Sequence, residues 1–464
     1  MSMDDDTDLE FSFTSTTTDR TFTTSSSARS SLTLSFNESL LLSTTALAPA
    51  PATTLHHRKW DPHWSAIMAA THGNLHLSHL KLVRHLGTGN LGRVFLCHLR
   101  DCNSATFALK VIDKDSLTPK KLSHVQMEAE ILSMLVHPYL PTLYARLDVS
   151  HYTCLLIDYC PNGDLHALLR KQPSNRGLPL HAVRFFAAEV LVALEYLHAL
   201  GVVYRDLKPE NILLRENGHI MLSDFDLCFK ADVVPTLQTN RVLRPTRNRF
   251  GCFRSPDEEE LTEFVAEPVT AFSKSCVGTH EYLAPELVSG NGHGNGVDWW
   301  AFGILIYELL YGVTPFKGGS KESTLRNITS NKQVRCHVAE GAAAEARDLI
   351  EKLLVKDPRE RLGCARGATD IKRHPFFDGI NWPLIRNYKP PEVRGLVMKR
   401  ITSNVTHNNN NINRRCWWKK LAVFTKKNKI ITSRINYQNL SFRKNNNGNY
   451  YQYHYVNSKG GKCV

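Results

Sequence analysis

Eight consecutive residues, Tyr204-Arg205-Asp206-Leu207-Lys208-Pro209-Glu210-Asn211, constrain this chain more than any other feature. They hold a carboxylate able to take a proton, an amine able to neutralise phosphate and an amide able to ligate a hard cation. A phosphoryl-transfer site has to gather those three groups within a few ångströms of one another. Singly, each would most simply be a surface ion pair or a helix cap, so the rest of the chain has to decide.

Upstream, Leu80 to Leu86 alternates apolar and polar residues as a strand does, and Gly87-Thr88-Gly89-Asn90-Leu91-Gly92-Arg93-Val94 follows. Glycines there let the backbone pass close over phosphates, where a Cβ would collide. Alone, the pattern would also suit a dinucleotide fold. The next strand-like run, Thr106 to Ile112, removes that reading, because it carries Lys110 in its interior, where an unpaired ammonium is costly. Lys110 therefore needs nucleotide phosphates and a helix carboxylate. The helical periodicity around Met127 and Ile131 makes Glu128 the expected partner; Glu130, a solvated helix charge, is the alternative. Downstream, Asp224-Phe225-Asp226 follows the strand-like Ile220 to Ser223. Ala284-Pro285-Glu286 closes a segment of 63 residues counted from Asp224.

In this order the motifs resemble the AGC group of protein kinases over roughly residues 78 to 395, and more narrowly the plant PINOID and WAG-type subfamily. The narrower resemblance rests on Asp-Phe-Asp where Asp-Phe-Gly is usual and on a segment about twice the ordinary length. It rests also on the closing string Ser275-Cys276-Val277-Gly278-Thr279-His280-Glu281-Tyr282-Leu283-Ala284-Pro285-Glu286. Phototropins share much of this but carry light-sensing domains, for which the roughly 77 residues ahead leave no room. The resemblance implies an α+β bilobal fold, with a small β-rich N-lobe and a larger helical C-lobe. It implies ATP and Mg²⁺ as cofactors, and transfer of the γ-phosphoryl to serine or threonine of protein substrates. A membrane-recruited scaffold with little turnover is the rival reading, which intact Lys110, Asp206, Asn211 and Asp224 oppose.

Asp206 is then expected to accept the proton of the incoming hydroxyl, Lys208 to balance charge on the moving phosphoryl, and Thr279 to pair with both. Asn211 and Asp224 are the expected metal ligands. The nucleotide site is expected to take Leu86, Gly87, Thr88, Gly89, Asn90, Leu91, Gly92 and Val94, with Ala108, Lys110 and Glu128 behind them. Asp158, Cys160, Asp164 and Leu213 complete it. By resemblance to the cAMP-dependent kinase, Asp164, Glu210 and Glu308 meet arginines upstream of the target hydroxyl, which predicts a basophilic preference. Asp164, one carbon shorter than the usual Glu, equally suits the ATP ribose.

Two residues invite a regulatory reading. Asp226 stands where glycine is usual, and if that backbone needs positive φ, an Asp restricts the inward–outward flip of Asp224 and Phe225; a neutral substitution is the alternative. A phosphate on Ser275 would give Arg205 a dianionic partner and order the segment. Ser273 is the second candidate. An upstream phosphoinositide-dependent kinase is one source by resemblance, and autophosphorylation the other. Tyr437 to Phe442 is a poor match to the Phe-x-x-Phe motif through which such kinases dock.

At 464 residues the chain holds one catalytic domain with tails. Residues 1–77 read as a Ser/Thr-rich extension, 78–376 as the catalytic domain, 377–400 as an AGC-type extension and 401–464 as a basic Asn/Tyr-rich tail. The insertion is placed at about 231–272. The opening Met1 to Asp6 is acidic, unlike a secretory leader; Ser2 stands where myristoylation needs glycine, and Cys463-Val464 is no prenylation signal. The 11 cysteines show no Cys-x-x-Cys spacing and read as reduced cytosolic thiols. Val297 to Phe316 is long enough to span a bilayer, but it contains Asp298 and Glu308, and Asp298 to Gly303 resembles the buried central helix of a kinase C-lobe; the resemblance implies Asp298 on the catalytic-loop backbone and Glu286 paired to Arg361.

The net charge of +13 is concentrated in two places. Arg241, Arg244, Arg247, Arg249 and Arg254 interleave with Phe250 and Phe253 in the insertion, and Arg414 to Lys427 mixes cations with Trp417 and Trp418. Such segments suit an anionic membrane surface, at about 1 kcal/mol per cation. Nucleic acid, a nuclear-import signal and a plain solvated tail are the rivals; the reading taken is a monomer in the cytoplasm, peripheral to the plasma membrane, with no nucleic acid bound. By resemblance alone, the substrates are PIN-type auxin efflux carriers, with a role in auxin transport.

Overall fold

The structure, a computed structural model, describes residues 45–46 and 61–396, apart from 72, 101, 174–176, 234, 244–257, 269, 331–333 and 335–342. Six strands form one antiparallel sheet: β1 (Thr45–Ala46), β2 (Leu80–Thr88), β3 (Arg93–Leu99), β4 (Cys102–Asp113), β5 (Leu143–Asp148) and β6 (Tyr152–Asp158), in the order β1-β5-β6-β4-β3-β2. Phe107 to Ile112 of the central β4 is buried on both faces, which explains a run that is apolar apart from Lys110. Its register sets Lys110 between Val94 of β3 and Leu155 of β6. The Thr45–Ala46 pairing with Leu147 and Asp148 lies inside the stretch read above as a Ser/Thr-rich extension.

That extension also contains α1 (Pro62–Thr71), which packs Ile67 and Trp64 on the sheet; the Trp64 and Tyr144 rings lie 5.0 Å apart. Helix α2 (Pro119–Met134) starts at Thr118, whose hydroxyl accepts the Lys121 N–H, with Pro119 in the first turn. Val125, Glu128, Ala129 and Leu132 share its buried face, while Glu130 is exposed.

The helical lobe is built on α4 (Leu180–Ala199), after the short α3 (Leu165–Arg170). Short strands β7 (Val202–Val203), β8 (Ile212–Leu214), β9 (Ile220–Leu222) and β10 (Phe229–Lys230) then frame the catalytic loop, with β8 against β9 and β7 against β10. The insertion forms a hairpin, β11 (Thr236–Leu243) antiparallel to β12 (Glu258–Val265). Arg244 to Arg254 and the tail from 397 on lie outside the described residues, so the basic segments are not located. Helix α5 (Pro285–Ser289) precedes α6 (Gly296–Tyr311), the lobe's centre, in which Trp299, Trp300 and Phe302 are wholly buried. Gly312, at φ 74°, closes α6 in the left-handed form that glycine takes freely. Among the described residues no helix is long and apolar enough to cross a membrane.

Helices α7 (Lys321–Thr329), α8 (Ala343–Leu353) and α9 (Ala368–Lys372) complete the lobe. The chain beyond 377 returns along it, burying Ile385 and Val393, and Gln172 Nε2 donates to the Arg394 carbonyl at 2.9 Å. The bilobal α+β fold is the expected one.

Candidate active site

A cleft of about 450 Å³ lies between the two lobes. Leu86, Gly87, Thr88, Gly89 and Val94 line it above, with Ala108, Lys110 and Glu128 behind. Asp158, Cys160, Asp164 and Leu213 line the hinge side, and Asn211 and Asp224 the floor. Three expected residues do not line it. Leu91 is buried in the core, and Asn90 points its amide to Asp226, 3.3 Å away. At Gly92 an added Cβ would lie 2.4 Å from the Val111 carbonyl oxygen. This glycine is thus required by the neighbouring strand, while Gly87 faces open space.

Lys110 Nζ donates to both Glu128 oxygens, at 2.6 and 2.8 Å, and to Asp224 Oδ1 at 3.2 Å. Burial opposes its charge, yet Glu128, Asp224 and Asp226 together push its pKa up, so the amine is fixed as a cation. Glu128 is therefore the partner and Glu130 is not. On the catalytic loop, Lys208 Nζ lies 2.8 Å from Asp206 Oδ2 and 3.0 Å from Thr279 Oγ1. Asn211 Nδ2 donates to the Asp206 carbonyl and to Oδ2, both at 2.8 Å. Burial raises the Asp206 pKa and Asp224 adds to it, against Lys208 and Asn211. The expected catalytic residues are thus brought together.

Asp298 in α6 accepts the N–H groups of Tyr204 (2.8 Å) and Arg205 (2.7 Å), and Arg361 holds both Glu286 oxygens, at 2.7 and 2.9 Å. Both links match the sequence reading. The backbone strain does not fall where expected: the non-glycine residues with positive φ among those described are Arg205 (66°) and Asp224 (57°), not Asp226. Asp226 is instead buried, its pKa pushed up to about 7 by burial and by Asp224.

The three acids expected to meet arginines each have a partner within the protein. Asp164 caps α3 by accepting the Ala167 N–H at 2.6 Å. Glu210 lies 2.8 Å from His166 Nδ1, and Glu308 accepts the Tyr282 hydroxyl at 2.5 Å. Glu210 is close enough to Glu308 to help burial raise the Glu308 pKa. Arg205 lies over the Phe229 ring at 4.7 Å and donates to Ser273 Oγ at 3.2 Å; the Ser275 N–H donates to the same hydroxyl. The Asp158 carboxylate is engaged on its far side by the Thr142 N–H (2.7 Å) and the Tyr144 hydroxyl (3.2 Å), which also lies 3.0 Å from Asp61. That link to α1 was not foreseen, since nothing in the spacing of Asp61 marks it.

A two-lobed fold with a buried lysine–glutamate pair above an Asp–Lys–Asn loop defines a protein kinase. The chain belongs to the protein kinase domain family, whose model matches residues 80–245 and 259–377. The matched stretches leave out part of the hairpin insertion. The chain is 66% identical over 447 residues to the serine/threonine-protein kinase WAG1 of Arabidopsis thaliana, covering 91% of each. To WAG2 of the same plant it is 69% identical over 386 residues, 79% of this chain and 80% of the relative. The rice protein kinase PINOID 2 is 43% identical over 411 residues, 73% of this chain and 82% of that one. The chain is a serine/threonine protein kinase of the PINOID/WAG type, a family that implies ATP and Mg²⁺.

Proposed function

We propose that this kinase phosphorylates serine or threonine in basic sequences, with Asp206 orienting the hydroxyl and accepting its proton. The observation that carries the reading is the contact of Lys208 with both Asp206 and Thr279. It holds the base carboxylate beside a cation at Oδ2, while Oδ1 accepts the Thr279 hydroxyl at 3.4 Å. Lys208 then balances charge as the phosphoryl moves, while Lys110, fixed by Glu128, positions the nucleotide. Asn211 spends its amide N–H on Asp206, which leaves the amide oxygen; with the Asp224 carboxylate this makes an oxygen donor set suited to Mg²⁺. Bound there, the ion would neutralise phosphate oxygens.

Asp164, Glu210 and Glu308 are the acids offered to substrate arginines, and Asp164, which lines the cleft, equally suits the ATP ribose. Ser275 is the proposed activating phosphosite, with Ser273 now the serine that Arg205 touches. An upstream phosphoinositide-dependent kinase or the enzyme itself supplies that phosphate. The likeness to the PINOID/WAG kinases supports PIN-type auxin carriers as substrates. The basic-aromatic stretch from Arg414 supports peripheral attachment to the plasma membrane from the cytoplasm, with nuclear import as the rival address; the kinase is taken as a monomer.

The test is radiolabelled phosphate transfer to serine peptides with and without upstream arginine, and to cytosolic loops of auxin efflux carriers. Transfer favoured by arginine supports the reading; indifference to arginine refutes basophily. Phosphoinositide vesicles test the membrane part, and binding unchanged by Trp417→Ala/Trp418→Ala refutes insertion.

A further inference from the structure

Glu267 lies two residues past the end of β12, at the foot of the insertion hairpin, and is buried. Its Oε2 is 2.7 Å from His198 Nδ1 and 2.8 Å from Asn295 Nδ2. His198, in the last turn of α4, is fully buried, and its Nε2 is 2.8 Å from Asp298 Oδ2. That same oxygen accepts the Tyr204 N–H, and Asp298 Oδ1 accepts the Arg205 N–H. A chain of short contacts thus runs from the insertion to the residue before Asp206.

With carboxylates at both ring nitrogens, His198 bonds to both only as the imidazolium, donating at each end. Burial opposes that charge, but Glu267 and Asp298, the charged groups acting on it, push its pKa up to about 10. The Trp299 indole packs edge-on against the ring at 4.7 Å. Arg205, whose N–H is held by Asp298, has φ 66°, a conformation that persists only when its surroundings impose it. Asp206 follows it directly. Any freedom in Asp298 therefore passes to the catalytic carboxylate.

We propose that Glu267 is a positioning residue for phosphoryl transfer: through His198 it orients Asp298, and so ties the foot of the hairpin to the backbone of the catalytic loop. The hairpin is then attached to the catalytic frame and is more than a surface excursion.

The test compares Glu267→Gln, His198→Gln and the double variant, with turnover counted per nucleotide-binding molecule. Glu267→Gln is expected to lower kcat about tenfold while KM for ATP and peptide stays within about twofold. The double variant should lose no more than His198→Gln alone, because the two act in one chain. Nitrogen-15 histidine spectra of the unaltered protein should show one buried ring losing its proton only near pH 10, and at lower pH in Glu267→Gln. Unchanged kcat, additive losses, or a wild-type His198 that titrates near its ordinary 6.5 would overturn the proposal.

Discussion

Asn90 and Asp226 join the glycine-rich loop to the start of the activation segment, Nδ2 to Oδ2 at 3.3 Å, and Lys121 Nζ donates to the Asn90 side-chain Oδ1 at 3.2 Å. The residue that replaces the usual glycine therefore acts through a side-chain bond, since its backbone is not left-handed. Outward movement of Asp224 and Phe225 is expected to pull on that bond.

Asp226→Gly should loosen this tie. Inhibitors that need the outward state are expected to bind the variant about tenfold more tightly, for a loss of one bond of roughly 1.4 kcal/mol. Calorimetric titration of both proteins checks this, and equal affinities would end the idea.

The two glycines of the loop should respond differently. Gly92→Ala drives a Cβ to 2.4 Å from the Val111 oxygen and should cost about 1–3 kcal/mol of stability. Gly87→Ala, with nothing within 4 Å, should cost about 0.5 kcal/mol or less. Denaturant unfolding of both variants measures the difference.

A buried histidine sets a pH dependence. His293 Nε2 has no hydrogen-bond partner among the described residues, and burial, helped by Arg205, holds its pKa down to about 4 against an ordinary 6.5. A folded pKa below the unfolded one gives stability that is full above pH 6.5 and lost as pH falls toward 4, by at most about 3 kcal/mol. Thermal unfolding across that window should slope downward in acid, less so in His293→Phe. Identical slopes would contradict this assignment.

Substrate choice has its own variant. Glu210→Gln should reduce kcat/KM about tenfold for a serine peptide with upstream arginine and leave an alanine-flanked peptide nearly unchanged. Equal losses on both peptides would remove Glu210 from substrate recognition and leave it as the partner of His166.

The parts legible in the chain were those where a buried charge demands a partner. Lys110 in a strand required a helix carboxylate, found in Glu128; the Asp298 link to the catalytic loop and the Glu286–Arg361 pair were legible through the kinase resemblance. Hidden parts depend on contacts between distant segments without a periodic signature. Helix α1 buries only Ile67 and Thr71, too few to mark an amphipathic face, so its docking beside Tyr144 had no local signal. His198 and Glu267 are 69 positions apart, and neither stands out until the fold brings them together. Only the backbone premise of the Asp226 reading does not hold: the left-handed residue of the triplet is Asp224.

The central claim is that Asp206 serves as the proton acceptor in a site otherwise assembled by Lys110, Lys208, Asn211 and Asp224. Its most direct measurement is single-turnover transfer from radiolabelled ATP to an arginine-bearing serine peptide, comparing the intact protein with Asp206→Asn. A single-turnover rate constant lower by about 10²–10⁴ in Asp206→Asn is expected, with the apparent Kd for ATP changed only a fewfold. An Asp206→Asn protein that transfers phosphate at the full rate would contradict it.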